Sequence, residues 1–249
     1  QEYACPTLKL IIYPMTGALT NKPRLSIIVP VLNEIDFISD FISHLENVLS
    51  STQEIIFVDG YSSDGTWELL QTQKKENTYQ TQSGRAYQMN FGVTKATCEW
   101  LYFVHVDSRL PQDFDTMIIA QMAQGAKAGC FRLKFDVSNW ILKCAAAGSK
   151  WNILLCRGGD QTLFVTKEIF DKIEGFNTNY IVCEDIQFVK KLYKKVPFTV
   201  LPHFVITSSR RFYKNGIYPL LFHFGMIHIL HWMGARPHVL YKYYSRNIN

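Results

Sequence analysis

The stretch LSIIVPVLNE, residues 25–34, decides the fold. Leu25–Val31 is an almost unbroken apolar run. A strand with one wet face alternates polar and apolar residues. A run without that alternation fits a strand covered on both faces, as in a parallel sheet between helices. The next segment, up to residue 51, has apolar residues at 37, 38, 41, 42, 45, 48 and 49. That is helical spacing, and Asn33 stands where a helix cap belongs.

The same alternation repeats outward. EIIFVDG (54–60) reads as a second strand ending in an acid, and SSDGTWELLQTQ (62–73) as a turn passing into a helix. SGRAYQMNFGVTKAT (83–97) is helical after Gly84, and EWLYFVHVD (99–107) is the next strand. The first half is therefore β-α-β-α-(β)-α-β, a mostly parallel sheet with right-handed crossovers. Ligands of such sheets bind beyond the carboxyl ends of the strands. Asp59, Asp107 and the Pro30–Glu34 loop all fall there. On a strand, His105 and Asp107 would share one face.

The second half is less regular. AGCFRLKFD (128–136) reads as a strand and residues 139–155 as a helix. GGDQTLFVTKEIF (158–170) gives a glycine turn, a short strand and a helix start. CEDIQFVKKLYKK (183–195) is an amphipathic helix, acidic at its start and basic at its end, which suits the helix dipole. FTVLP (198–202) is a further strand and TSSRRF (207–212) a basic loop. Residues 1–23 show no clear period and read as an extension. Residues 24–249 read as a single domain, with a nucleotide-binding half (24–111) and an acceptor-binding half with C-terminal helices (112–249).

A chain of 249 residues, 47% hydrophobic, can bury a substantial core. Its formal charge of +5 fits an anionic substrate or an acidic membrane surface, and equally ordinary surface charge. Cysteines 5, 98, 130, 144, 156 and 183 form no CxxC pair, so buried thiols in a reducing compartment are expected. No basic region precedes a long apolar stretch near residue 1, so no secretory signal is expected. Cytoplasmic placement follows. Tyr218–Ala235 is the most apolar segment, at the lower limit for spanning a bilayer. It reads as a core helix, with peripheral membrane-surface contact as the other reading.

Taken in order, LSIIVPVLNE, IIFVDGYSSDGT, GRAYQMNFG, FVHVDSRLP, GGDQTLFV and CEDIQFVKKL resemble a family 2 glycosyltransferase of the GT-A fold. GRA-x-QMN-x-G, H-x-D-x-R-LP, GDQ-x-x-F-V and the late T-S-x-RR-F further resemble the rSAM/selenodomain-associated transferase 2 branch. The likeness spans residues 25–244.

That resemblance implies a metal-assisted enzyme acting on a nucleotide sugar, a UDP-sugar foremost. Asp59 would accept a hydrogen bond from the base, with a turn or helix-capping acid as the other reading. Pro30, Val31, Asn33 and Glu34 would line the nucleoside. Asp64 and Gly65 would shape the turn. Arg85, at a helix start, would face the phosphates with support from Asn90. Asp107 would hold Mg²⁺ or Mn²⁺, which take one or two carboxylates plus substrate phosphates. His105 replaces the first acid of the usual Asp-x-Asp. It would ligate Mn²⁺, orient Asp107 or donate to an oxygen. Arg109 pairs with Asp107, with phosphates or with a surface acid.

In the family, the Asp of the Glu-Asp pair is the catalytic base, which makes Asp185 the base and Glu184 its support. Asp160, after Gly158 and Gly159, would touch sugar hydroxyls, while Gln161 fixes the loop. Arg210 and Arg211 would clamp the leaving diphosphate. The histidines at 228 and 231 sit in an apolar context that favours packing or an interface. The acceptor stays open among a glycan, a lipid, a small molecule and a protein side chain; no nucleic acid is expected. Two rivals remain. A nucleotidyltransferase would carry a glycine-rich phosphate loop after the first strand, which VPVLNE lacks. A non-catalytic nucleotide-sugar binding protein has only His105 in its favour.

Overall fold

The computed structural model describes residues 24–158 and 161–248. The proposed extension 1–23, Cys5 and Asp160 lie outside the described residues.

The first strand, β1 (Leu25–Val31), is buried along its whole length. Its odd residues Leu25, Ile27, Val29 and Val31 pack on one face, and Ile28 packs on the other. This double burial is why the run lacks alternation. The helix α1 (Ile35–Val48) covers the first face with Ile38, Phe41, Ile42, Leu45 and Val48. β2 (Glu54–Asp59), α2 (Thr66–Lys74), β3 (Thr78–Gln80), α3 (Arg85–Lys95) and β4 (Trp100–Phe103) follow. Helix α3 lies on the opposite face, close against β1 and β2. A Cβ added at Gly92 would stand 2.5 Å from Ile28 Cγ2, so only glycine permits this approach.

The chain continues with β5 (Ser108–Arg109), α4 (Phe114–Ala123), β6 (Ala128–Phe135) and α5 (Trp140–Ala147). Next come β7 (Leu163–Thr166), α6 (Lys167–Lys172), α7 (Glu184–Tyr193) and β8 (Phe198–Thr207). Three helices close it: α8 (Arg210–Asn215), α9 (Ile217–Trp232) and α10 (Pro237–Asn247). The eight strands form one sheet in the order β3-β2-β1-β4-β7-β6-β8-β5. β1–β2, β1–β4, β2–β3 and β6–β8 pair parallel, while β7 runs antiparallel to both neighbours. A third apolar cluster joins Phe135, Leu142 and Ile186 to Phe212, Leu220, Ile227 and Leu240 of the closing helices.

Several expectations change. The third long strand stops at Phe103; Val104 N–H still donates to Ile28 O of β1 (3.2 Å), and residues 105–107 leave the sheet in a turn closed by Ser108 N–H on His105 O at 3.1 Å. The helix expected over 139–155 ends at Ala147, then breaks into two short 3₁₀ turns. The expected basic loop at TSSRRF is the end of β8 and the first turn of α8. The five described cysteines make no disulfide, but Cys144 is exposed rather than buried. Among the described residues no helix is long and apolar enough to cross a membrane.

Candidate active site

The site lies at the carboxyl edge, where β1, β2 and β4 end. Two loops meet first. Gly60 N–H donates to Val31 O (2.9 Å), and Asn33 N–H to Ser62 Oγ (2.8 Å). Ser63 N–H donates back to Asn33 Oδ1 (2.9 Å), and Glu34 N–H to Thr66 Oγ1 (3.0 Å). Asp64 accepts from Ile35 N–H at 3.1 Å and from Thr66 N–H at 3.0 Å. Burial pulls the Asp64 pKa upward, but these hydrogen bonds outweigh it and hold the carboxyl below its ordinary value. Gly65, at φ +96°, makes the turn possible. Asp64 and Gly65 therefore shape the turn. Asn33 does not cap α1: it sits in the left-handed region (φ 53°) and bridges the two loops, while Glu34 holds the cap position.

Asp59 is wholly buried under this turn. Its carboxylate accepts from Ser62 N–H (3.0 Å), Ser62 Oγ–H and Gln80 Nε2 (3.0 Å). Beneath it, Gln88 donates to Val31 O (2.7 Å) and Val58 O (2.8 Å), tying the ends of β1 and β2 together. The turn-acid reading of Asp59 is thus realised.

Glu34 reaches across the cleft. Arg210 donates to both its oxygens at 2.9–3.1 Å and lies 4.4 Å over the Phe37 ring. Burial lowers the Arg210 pKa, but Glu34 and the nearby charge of Asp107 outweigh it and raise the pKa overall, while Arg85 opposes. Asp107, Arg210, Arg85 and Glu34 therefore share one electrostatic neighbourhood. Arg211 turns elsewhere: it donates to Tyr244 Oη and lies 5.7 Å from the Phe224 and Tyr244 ring centres. Successive residues of α8 project in different directions, which separates the proposed clamp. Arg109 pairs with Asp40 on the surface, not with Asp107.

Because the chain leaves the sheet after Val104, His105 and Asp107 do not share a strand face. Asp107 stands in the field of Arg210. His105 instead lines a small cavity with Asp185, Arg157, Gly158, Gln161 and Thr162. Its volume, about 30 Å³, holds about two waters. Asp185 Oδ2 is buried and finds no hydrogen-bond partner among the described residues. Its Oδ1 accepts from Ile186 N–H at 2.7 Å. Glu184 is 4% exposed. Burial, then repulsion from Asp185, push its pKa up to about 7, against the pull of Arg85. The preceding Cys183 thiol is likewise pushed up to about 12 by burial and the two acids. Helix α9 stands beside this pair. Burial lowers His228 and His231, and the charge of Asp185 acts on both in the opposite direction. The sequence pattern placed these histidines in packing; it carried no sign that they neighbour Asp185.

Two positioning roles were also hidden. Asn90 spends both ends of its amide on the Phe176 backbone, at 2.8 and 2.9 Å, rather than supporting Arg85. Arg157 is 2% exposed. Its guanidinium donates to Cys130 Sγ (3.1 Å), Gln161 Oε1 (3.1 Å), Ser149 O (2.9 Å) and Trp151 O. It anchors the loop on which Gln161 sits. Gly158 adopts no left-handed angle, so its expected conformational role is not used.

Among the described residues no three His, Cys, Asp or Glu side chains converge as a metal cage. The donor set is one carboxylate, Asp107, open to a cleft flanked by arginines. It fits a hard cation that draws its remaining ligands from a diphosphate, and does not fit a cation held by protein alone.

Sequence comparison matches residues 26–178, well over half the chain, to Glycosyl transferase family 2. The match ends before Glu184–Asp185. No curated protein matches the chain. Among solved structures, S. aureus TarS 1–349 in complex with UDP is similar at a TM-score of 0.62 and 18% identity, over 74% of this chain and 60% of that one. Longer S. aureus TarS gives 0.62 and 16%, over 74% and 36%. The mannosyltransferase PcManGT from Pyrobaculum calidifontis, in complex with GDP-Man and Mn²⁺, gives 0.55 and 20%, over 75% and 57%. The chain thus spans between about a third and three fifths of these three structures. At such identities the likeness speaks for the fold.

Proposed function

The chain belongs to glycosyl transferase family 2 and has its GT-A fold; from that premise we propose a metal-assisted, inverting transfer from a UDP-sugar to an acceptor hydroxyl, with Asp185 as base. The observation that carries this reading is the buried Oδ2 of Asp185, without a hydrogen-bond partner among the described residues, beside a small, mostly apolar cavity that His105, Arg157 and Gln161 also line. A carboxylate oxygen that no described residue engages is available to an acceptor proton.

In the proposed step the acceptor oxygen forms a bond to the anomeric carbon as its proton passes to Asp185 Oδ2. The bond from that carbon to the diphosphate oxygen breaks, and the negative charge moves onto the leaving diphosphate. Arg85 faces that charge and lowers its energy, while Arg210, committed to Glu34, positions the nucleoside side of the cleft rather than clamping the leaving group. Glu184, raised in pKa by burial and by its neighbour, keeps a second full charge from crowding Asp185. Pro30, Val31, Asn33 and Glu34 line the nucleoside. Asp59 takes the base N–H only where the Ser62 turn yields a bond, because its carboxylate is wholly buried and engaged by that turn. A divalent cation held by Asp107 would supply further charge neutralisation at the diphosphate. We assign the donor to residues 24–111 and the acceptor to residues 112–249; the choice of a nucleotide-sugar donor is supported by the UDP, UDP-GlcNAc and GDP-Man in complexes of the similar structures. VPVLNE closes into a turn hydrogen-bonded to the 60–66 loop and carries no glycine-rich phosphate loop, which disfavours nucleotidyl transfer.

The test is Asp185→Asn in a donor panel scored by release of nucleoside diphosphate. Turnover should fall roughly 10²–10⁴-fold, with UDP binding by calorimetry unchanged. Undiminished turnover would remove Asp185 as the base, and failure to bind any nucleoside diphosphate would remove the donor class.

A further inference from the structure

Helix α9 is apolar on two opposite faces. Leu220 and Ile227 turn inward and are buried, with Phe224 packed partly beside them. Tyr218, Phe222, Gly225, Ile229 and Trp232 recur at spacings of four and three, the opposite side of an α-helix. All five are exposed, Trp232 to 81% and Tyr218 to 70%. Met233 extends the stripe at 73%. Isolated exposed apolar residues are ordinary on a protein surface; a continuous helical stripe marks a contact.

Charge identifies what makes the contact. Residues 186–249 hold ten lysines and arginines and no aspartate or glutamate. The chain's +5 is therefore the balance of a strongly basic section and an acidic remainder. Helix α9 carries no Lys, Arg, Asp or Glu, but exposed Lys214 precedes it and exposed Arg236 follows it. Exposed Lys242 and Arg246 lie on α10, which packs against α9; His223 Nδ1 and Tyr243 Oη lie 2.8 Å apart. A second copy of this chain would bring two basic surfaces together. An anionic bilayer instead offers an apolar boundary to the stripe and negative headgroups to its cationic flanks. Tyr and Trp at either end suit that boundary, with rings in the acyl edge and polar atoms in water.

We propose that α9 and α10 dock this protein in the plane of an anionic lipid surface, through the stripe from Tyr218 to Trp232. The docking is independent of the identity of the donor and of the base.

The experiment is co-sedimentation of the full chain with phosphatidylcholine vesicles, with and without phosphatidylglycerol. Partitioning should occur on the anionic vesicles and weaken as salt rises. The double variant Trp232→Ser, Tyr218→Ser removes two interfacial rings and should lower partitioning at least about tenfold. Both residues are exposed, so the melting temperature should not move, and nucleotide binding serves as a second check of folding. Lys242→Gln with Arg246→Gln should weaken binding to anionic vesicles only. Absence of binding to anionic vesicles overturns the proposal, as does binding that the double variant leaves intact. A dimer in sedimentation velocity that the double variant dissolves also overturns it, because the stripe then belongs to a second copy.

Discussion

Asp115 and Glu184 are both almost fully buried carboxyl groups, yet their surroundings treat them oppositely. Asp115 sits on α4 beneath the turn between α1 and β2. It accepts from Ser50 N–H and Oγ–H, Ser51 N–H and Oγ–H, and Gln53 Nε2, at 2.9–3.2 Å. Burial pulls its pKa up, but five donors outweigh burial and leave it below its ordinary value. Glu184 is pushed up by burial and by Asp185, and the charge of Arg85 and one backbone hydrogen bond do not offset them. Around Glu184 the buried polar atoms Asp185 Oδ2 and Gln187 Oε1 have no partner among the described residues. One region spends its polar groups on holding the chain together. The other withholds them, which destabilises the fold locally and leaves them available to a ligand.

Three substitutions bear on that contrast. The largest stability effect belongs to Asp115→Ala. It strands several donors of the 50–53 turn and should cost about 3 kcal/mol in urea unfolding, with donor binding retained in the surviving folded fraction. A loss below about 1 kcal/mol would mean water replaces the carboxylate and the contrast is false. Glu184→Gln should act the other way. The folded pKa is raised, so the wild type loses stability as pH rises from about 4.5 to about 7, where the folded glutamate ionises at a cost. The variant escapes that loss. It should match the wild type in unfolding free energy near pH 4 and exceed it by about 1–2 kcal/mol above pH 8. Equal stability across that range would show that Glu184 is not strained. Arg210→Lys is the smallest: it keeps the charge but gives up the two-pronged contact to Glu34 and stacking on Phe37, and should cost under about 1 kcal/mol. Its KM for the donor should rise more than its kcat falls, since Glu34 loses its anchor. The reverse split would move Arg210 from nucleoside positioning to the leaving group.

What the sequence made legible follows the range of each interaction. Strands β1 and β2, helices α1, α3 and α7, and the turn at Asp64–Gly65 rest on local periodicity, so their residues announce them. The resemblance carried the family and the GT-A fold. Legibility failed where partners are distant. Glu34 and Arg210 are 176 positions apart, and Asn90 grips a backbone 86 positions later. Nothing near Arg109 points to Asp40, and nothing in RGGDQ marks Arg157 as a buried anchor. His105 misled for a different reason. The apolar run FVHV reads as strand throughout, but the residue pairing with β1 ends at Phe103. The two faces of α9 are visible as apolar content, yet only packing separates the inner from the outer.

The clasp between Asn90 and Phe176 has a consequence of its own. Arg85 and Asn90 sit on one rigid helix, one turn and a half apart. Asn90 grips the strand of chain that leads into Glu184. The spacing between the start of α3 and the chain that leads into α7 is therefore set like a gauge block, by a single helix and two hydrogen bonds. Segments after α7 can vary while that spacing stays unchanged.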